Sequence, residues 1–267
     1  MFEIQDKIIV ITGATGALGG ALALSLAKGK AQLVILGRNR GLLDELASKL
    51  TPYTKVHIFV VDVMNRYELI QVRKEVMSKF DRIDVLINTV GGNLPGAVIP
   101  DDKSVFDLSE IDFDQVVDLN LKGTLLPSLV FGEVMSQKGK GSIINYSSMA
   151  VDRVITRVLG YSASKAAMEN FTRWMAVEMA LKFGDGIRVN AIAPGFFIGK
   201  QNKDLLLNQD GSLTERGQKI IRNTPMQRFG EPEELNGPIQ FLCSDSASFI
   251  TGIVLQVDGG FSAYSGV

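Results

Sequence analysis

Apolar residues in this chain come in short unbroken runs, separated by longer stretches with helical spacing. The runs are Ile8–Ile11, Leu33–Leu36, Val56–Val61, Val85–Ile87, Ser142–Tyr146, Arg188–Ile192 and Val254–Val257. Most lack the alternation of a half-buried strand, so they read as strands covered on both faces. Leu18–Ala27, Leu42–Leu50 and Leu69–Phe80 space their apolar residues three and four apart, as helices that cover a sheet do. Strand and helix in alternation predict an α/β fold, a doubly wound and mainly parallel sheet flanked by helices. No repeat or linker divides residues 1–267, so one domain is expected. Two stretches, 91–110 and 199–224, fit poorly into regular units. Each follows a strand, where ligands sit in such folds, and long irregular segments in a compact domain are usually functional. They are expected to form a substrate loop and a lid.

Composition narrows the classes. The sequence has 267 residues, 46% hydrophobic and 21% charged, enough for one large core. A formal net charge of −1 offers no basic field to nucleic acid or an anionic membrane. The single cysteine, Cys243, has no partner for an internal disulfide and reads as a buried thiol. The single histidine, His57, lies in a strand-like run, and no His/Cys cluster has ligand spacing, so no metal site is expected. There is no signal-type pattern at the N-terminus, and no apolar run reaches the ~18 residues of a membrane span. The expectation is a cytoplasmic protein with small-molecule partners, without nucleic acid or membrane.

The motifs carry the chemistry. The first run leads into Thr12-Gly13-Ala14-Thr15-Gly16-Ala17-Leu18-Gly19-Gly20 and then a helical pattern. Glycines there permit a tight turn and close approach to a pyrophosphate, and a helix N-terminus offers N–H groups to its oxygens. Gly13, Thr15, Gly16, Ala17, Leu18 and Gly19 are the dinucleotide contacts such a turn supplies. The second run ends Leu36-Gly37-Arg38-Asn39-Arg40. An acid here would bond the adenosine ribose and repel a 2′-phosphate; Gly37 removes that repulsion, and Arg38 is placed to pair with the phosphate. NADP(H) is therefore the preferred cofactor on this reading and NAD(H) the alternative, while a solvated turn arginine also accounts for Arg38. Asp62, followed by Val63, either bonds the adenine amine or caps the next helix. Asn88-Thr89-Val90-Gly91 sets an accessible glycine along a cofactor, and Asn120 is an amide within an otherwise amphipathic helix.

Tyr161 and Lys165 stand four apart, so on a helix a phenol and an ammonium share a face. A neighbouring cation favours the phenolate of a group whose pKa is otherwise about 10. An amphipathic helix with one exposed lysine gives the same spacing by chance, so the pair gains weight from the other motifs. Ser147 and Ser148 precede it, Ser148 by thirteen residues.

In order and across essentially the whole sequence, the turn at 12–19, Asn88–Gly91, Asn120, Ser147-Ser148, Tyr161 with Lys165, Asn190–Gly195 and Val257–Gly260 resemble the short-chain dehydrogenase/reductase family. The resemblance implies one Rossmann domain with a seven-stranded sheet, an NAD(P)-dependent oxidoreductase acting on CH–OH groups, and a homotetramer. It implies that Tyr161 is the general acid/base and that Ser148 holds the carbonyl oxygen. Lys165 would lower the tyrosine pKa and bind the nicotinamide ribose, and Asn120 would anchor a water that relays protons to Lys165. Pro194 and Gly195 would pass beside the nicotinamide amide. The sequence departs from the family pattern at Ala17, usually Gly, at Thr89-Val90, usually Asn-Ala, and at Gly199, near a usual threonine.

A narrower resemblance rests on Gly91–Gly96, Ala193–Phe197, Leu205–Gly217 and the ending Asp258–Val267. These look like the D-mannonate oxidoreductases, or fructuronate reductases, of the same family, which commonly carry His where Leu94 stands. The likeness implies a sugar-acid substrate, D-fructuronate reduced to D-mannonate. Arg153 and Arg157 are then placed to meet a carboxylate, and Asn93, Gln201 and Asn202 to meet hydroxyls. Phe196 and Phe197 are placed to pack on the cofactor or close the lid. Surface or subunit contacts are the other role for the arginines. Two other functions stay open: a reductase of the family acting on a 3-oxoacyl thioester or a ketogluconate, and a dinucleotide-sensing protein without catalysis.

Overall fold

The computed structural model describes residues 2–199 and 202–266. Its strands are β1 Ile8–Thr12, β2 Gln32–Gly37, β3 Val56–Val60, β4 Val85–Asn88, β5 Gly141–Tyr146, β6 Ile187–Pro194 and β7 Val254–Val257. They form one seven-stranded sheet in the order β3-β2-β1-β4-β5-β6-β7, with every pairing parallel. The expected doubly wound sheet is present, parallel throughout. β1, β5 and β6 are buried at every position, which explains why their sequences do not alternate. The edge strands β3 and β7 stay partly exposed.

The helices are α1 Ala17–Lys28, α2 Arg40–Leu50, α3 Arg66–Phe80, α4 Glu110–Val117, α5 Gly123–Lys138, α6 Leu159–Phe183, α7 Lys203–Leu206, α8 Glu215–Arg222 and α9 Asn236–Cys243. On one face Leu22, Leu26, Leu43 and Leu242 pack with Ile9, Ile11 and Ile35. On the other, Leu69, Val72, Phe131, Met175 and Met179 pack with Ile8, Val10 and Val34. Alternate residues of β1 thus feed different cores. Each fully buried Leu or Ile contributes ~1.5–3 kcal/mol, so the sheet is a firm platform for its loops.

The polypeptide runs from β3, at one edge, back past β1 to β4. That reversal opens a crevice at the carboxyl ends of β1 and β4, where such sheets bind ligands. The two loops meet there, with Thr89 Oγ1 donating to Thr12 O at 2.6 Å.

One expectation needs correction. Segment 199–224 is not irregular throughout, because it holds α7 and α8. Thr214 caps α8, its hydroxyl accepting from Gly217 N at 3.1 Å, and the helix buries only Gly217 and Ile220. Two buried positions are too few for periodicity to reveal a helix. Residues 91–110 are irregular apart from single turns at Pro95–Ala97 and Val105–Asp107 and the start of α4. His57 lies on edge strand β3 with Nδ1 3.0 Å from Lys79 Nζ. Cys243 is buried in α9, where burial pushes its thiol up to about 12. Among the described residues no helix is long and apolar enough to cross a membrane.

Candidate active site

The turn after β1 is built for close approach. Gly13 has φ 67°, and a Cβ on it would stand 2.9 Å from Thr89 Oγ1 and 3.0 Å from Val90 N. Only glycine lets the turn press against the end of β4. At Gly19 a Cβ would stand 2.7 Å from Gly13 O, so α1 also sits tightly on the turn. Gly16 is the N-cap of α1, with no side chain to cover the first N–H groups, and the first turn holds no acid. Those amides and the positive end of the helix dipole fit a pyrophosphate. Thr15 is half-buried and Ala17 exposed on the turn, while Leu18 packs its side chain on the core and offers a ligand only its backbone. A methyl at Gly199 would stand 3.6 Å from Ala17 Cβ, so the segment after β6 lies against this turn.

At the adenosine end Arg38 is exposed, and Asn39 caps α2 by accepting from Leu42 N at 3.0 Å. Asp62 does not cap α3; Asn65 does. Asp62 Oδ1 instead accepts from Met64 N at 3.0 Å, closing a tight turn at the end of β3. The Val63 side chain is buried in the core, so its backbone is what faces a ligand.

α6 carries Tyr161 and Lys165 on one face, with Lys165 Nζ 5.7 Å from the tyrosine ring centroid. Nζ donates to Tyr146 O at 2.6 Å. The Ser148 hydroxyl faces the Tyr161 phenol and accepts from Ala150 N at 3.2 Å. Asn120 sits in a π-helical turn, Asp118–Lys122, a local widening that often marks functional positions. Its Oδ1 accepts from Gly92 N at 3.0 Å, and its Nδ2 donates to Gly92 O and Val116 O, each at 2.8 Å. Gly91 fills the space between: a Cβ there would stand 2.7 Å from Asn120 Oδ1 and 3.0 Å from Lys165 Nζ.

The electrostatics differ from the sequence expectation. Burial pushes the Tyr161 phenol up, against the pull of the facing Ser148 hydroxyl. Lys165 lies over the ring and is tied to Tyr146 O. Burial also pulls Lys165 down to about 8, opposed by the nearby Glu169 carboxylate.

The sequence places Asn88 along the cofactor, but its side chain is fully buried. Its Nδ2 donates to Ser128 Oγ and Asn145 Oδ1, both at 2.9 Å. Asn145 Nδ2 continues to Thr172 Oγ1 of α6 at 2.9 Å. In the other direction Ser128 Oγ donates to Thr124 O at 2.8 Å, and Thr124 Oγ1 to Asn120 O at 3.1 Å. Buried hydrogen bonds thus run from Asn120 through β4 and β5 to the helix that carries Tyr161 and Lys165. Pro194 O accepts from Met149 N at 3.2 Å, beside Ser148, and Gly195 N donates to Val257 O at 2.9 Å.

The expected substrate residues divide. Both amide atoms of Asn93 are buried and have no hydrogen-bond partner among the described residues. Arg153 is occupied: its Nε donates to Ser262 O at 2.8 Å and ties down the C-terminal segment. Arg157 Nε donates to Asp101 Oδ1 at 2.9 Å, and its Nη2 bonds the other carboxylate oxygen. Phe197 is buried in the core against Gly230, so it packs there and does not face a substrate. Asn202 accepts from Gly199 N at 2.8 Å and donates to Phe197 O at 2.9 Å, bracing the start of the lid. Gln201 lies outside the described residues. Phe196 meets Phe261 edge-on at 5.2 Å. Sequence reasoning misses Glu169, a buried acid accepting from Ser147 Oγ at 2.6 Å, although its place four after Lys165 is a signal. It also misses Arg216 of α8, which no motif marks.

A family model described as enoyl-(acyl carrier protein) reductase, of short-chain dehydrogenase type, matches residues 13–262. The chain belongs to the short-chain dehydrogenase/reductase family. This short-chain dehydrogenase is 43% identical over 275 residues to an uncharacterized oxidoreductase, UxuB, of Bacillus subtilis, spanning 99% of this chain and 98% of that protein. It is 33% identical over 264 residues to the 3-oxoacyl-[acyl-carrier-protein] reductase FabG of Thermotoga maritima, spanning 97% and 98%. Among solved structures, a Haemophilus influenza protein provisionally named a D-mannonate oxidoreductase, with bound NAD, is 40% identical. It superposes with a TM-score of 0.92 and covers 100% of this chain and 98% of that one. The short-chain dehydrogenase described here is therefore an oxidoreductase of a family that uses NAD(P).

Proposed function

We propose that this enzyme reduces the ketone of a sugar acid, D-fructuronate to D-mannonate, with NADP(H) preferred over NAD(H). The observation that carries carbonyl reduction is the half-buried Tyr161, facing the Ser148 hydroxyl and backed by Lys165. The carbonyl oxygen belongs between the two hydroxyls. A nicotinamide cofactor bound along the Gly-rich turn supplies the hydride in reduction and accepts it in oxidation. Tyr161 gives its phenolic proton to the oxygen as the alcohol forms. Burial holds that proton on the phenol at neutral pH, which suits an acid. Ser148 keeps its hydrogen bond to the oxygen, and Lys165 favours the phenolate left behind. Asn120, clamped on Gly92, keeps Gly91 and Lys165 in place.

Support for a polyhydroxy acid comes from the Asn93 amide, unpartnered among the described residues, and from the relatedness to the Haemophilus protein. The test is NADPH and NADH oxidation with D-fructuronate, D-tagaturonate, 5-ketogluconate and an acetoacetyl thioester. Fructuronate should give the highest kcat/KM, and D-mannonate oxidation should grow as pH rises, because oxidation releases a proton. A second reading, a 3-oxoacyl thioester reductase, draws on the Thermotoga relative; turnover of the thioester alone would decide for it.

The cofactor preference rests on Gly37 and exposed Arg38. NADPH should exceed NADH in kcat/KM, and Arg38→Ala should shrink that ratio by about tenfold or more. A charge-assisted hydrogen bond is worth ~1.5–3 kcal/mol. A tenfold wild-type preference for NADH would show that this turn does not read the 2′-phosphate. A homotetramer remains our reading of the assembly, supported by exposed Trp174, Val177 and Leu181 along α6.

A further inference from the structure

The lid touches both walls of the cleft. At its start Gly199 lies against Ala17 of the Gly-rich turn. In α8, Arg216 Nη1 approaches Thr156 Oγ1 at 3.5 Å, in the loop that leads into α6 and Tyr161. Three segments bring charges together at this second wall: Asp101 from the 91–110 loop, Arg157 from the loop before α6, and Arg216 from the lid. Asp101 is bonded by two nitrogens of Arg157, and Arg157 O also holds Ile99 N at 3.0 Å. Arg216 has the long contact to Thr156 and no ion pair among the described residues. Asp101 is therefore engaged by Arg157, and the second guanidinium beside it has no carboxylate within ion-pair distance among the described residues.

Arg216 is half-buried, which makes its unbalanced charge costly. Burial and the facing Arg157 charge both disfavour its cationic form, and Asp101 offsets them only in part. A planar anion with two oxygens matches what this pair lacks, since guanidinium groups bind carboxylates through paired N–H donors. The sequence offers Arg153 or Arg157 for the carboxylate. Arg153 is committed to backbone carbonyls of the C-terminal segment and Arg157 to Asp101, which leaves Arg216 as the arginine with neither a carbonyl nor a carboxylate bonded to it among the described residues.

We propose that Arg216 binds the carboxylate of the substrate, with Arg157 as the second contact and Asp101 as the resident carboxylate with which the substrate competes. The proposal rests on the sugar-acid reading and deepens it. A substrate carboxylate set between the two arginines joins the lid to the loop before α6, so an acidic substrate draws the lid over its own ketone. A neutral ketone has nothing to offer Arg216 and leaves the charges unbalanced.

The experiment compares D-fructuronate with its neutral amide, using full-length wild type, Arg216→Met and Asp101→Asn. In Arg216→Met, KM for the acid should rise at least tenfold while kinetics on the amide change by less than twofold. In Asp101→Asn, KM for the acid should fall, because Arg157 is released to the substrate. Opposite signs set the proposal apart from a latch that merely holds the loops, for which both variants lose activity on both compounds. Equal losses on acid and amide, or an unchanged KM in Arg216→Met, overturn it while leaving the sugar-acid reading intact. If the wild type reduces no sugar acid, that reading fails. The carboxylate site is then judged on the ketones it does reduce, where no tenfold preference for an acid over its amide overturns the proposal too.

Discussion

Tyr161→Phe should lower turnover by about 10²–10⁴-fold, the range that positioned proton transfer typically contributes. The change removes one oxygen and little else. The ring keeps its place on α6 beneath the Lys165 ammonium, 5.7 Å from the centroid, and Lys165 keeps its bond to Tyr146 O. Cofactor affinity, read by quenching of protein fluorescence on NADPH addition, should therefore stay within a few-fold of wild type. The loss should appear equally in reduction and oxidation, since the same oxygen gives the proton in one direction and takes it in the other. Turnover near the wild-type rate would remove Tyr161 from the acid/base role.

Gly91→Ala should cost almost as much, from a residue with no side chain. The added methyl would lie 2.7 Å from Asn120 Oδ1 and 3.0 Å from Lys165 Nζ, so one or both must move. Asn120 is held by its bonds to Gly92 and Val116, which leaves Lys165 as the softer neighbour. A displacement of about 1 Å at a reacting group can cost 10²-fold, so turnover should fall by about that factor. Stability should suffer far less. Two hydrogen bonds are at risk at ~0.5–1.5 kcal/mol each, and 1 kcal/mol shifts Tm by roughly 2–4 °C in a protein of this size. A drop of a few degrees with a hundredfold loss of kcat is the expected pair of readings. Wild-type turnover in this variant would place Lys165 elsewhere during catalysis.

The same contacts show what the sequence makes legible. Buried strands announce themselves because β1, β5 and β6 have no wet face to impose an alternation. Tyr161 and Lys165 are legible because helical spacing alone brings them together. The partners of Arg153 and Arg157 are not, because they lie 109 and 56 residues away and leave no local trace. Asn88 reads as polar and accessible from its place just before Gly91, yet all four residues of β4 are buried and its side-chain amide serves the interior. The direction of the Tyr161 shift is lost for a related reason. Spacing reveals a neighbouring charge but not burial, which is the largest influence on the phenol and raises its pKa. α8 escapes because a short helix with two buried residues has almost no periodic signature.

The hydrogen bonds from Asn120 through Asn88 and Asn145 to Thr172 are all buried. Changing one member strands its neighbour at ~1–3 kcal/mol, against a typical total stability of ~5–15 kcal/mol. Asn93, Asp101, Arg157 and Arg216 sit instead on loops and a lid, and none of their side chains hydrogen-bonds a member of that network. A substitution in the network should therefore cost stability along with turnover, whereas one at the rim should leave the means of moving a proton standing and change which molecule receives it.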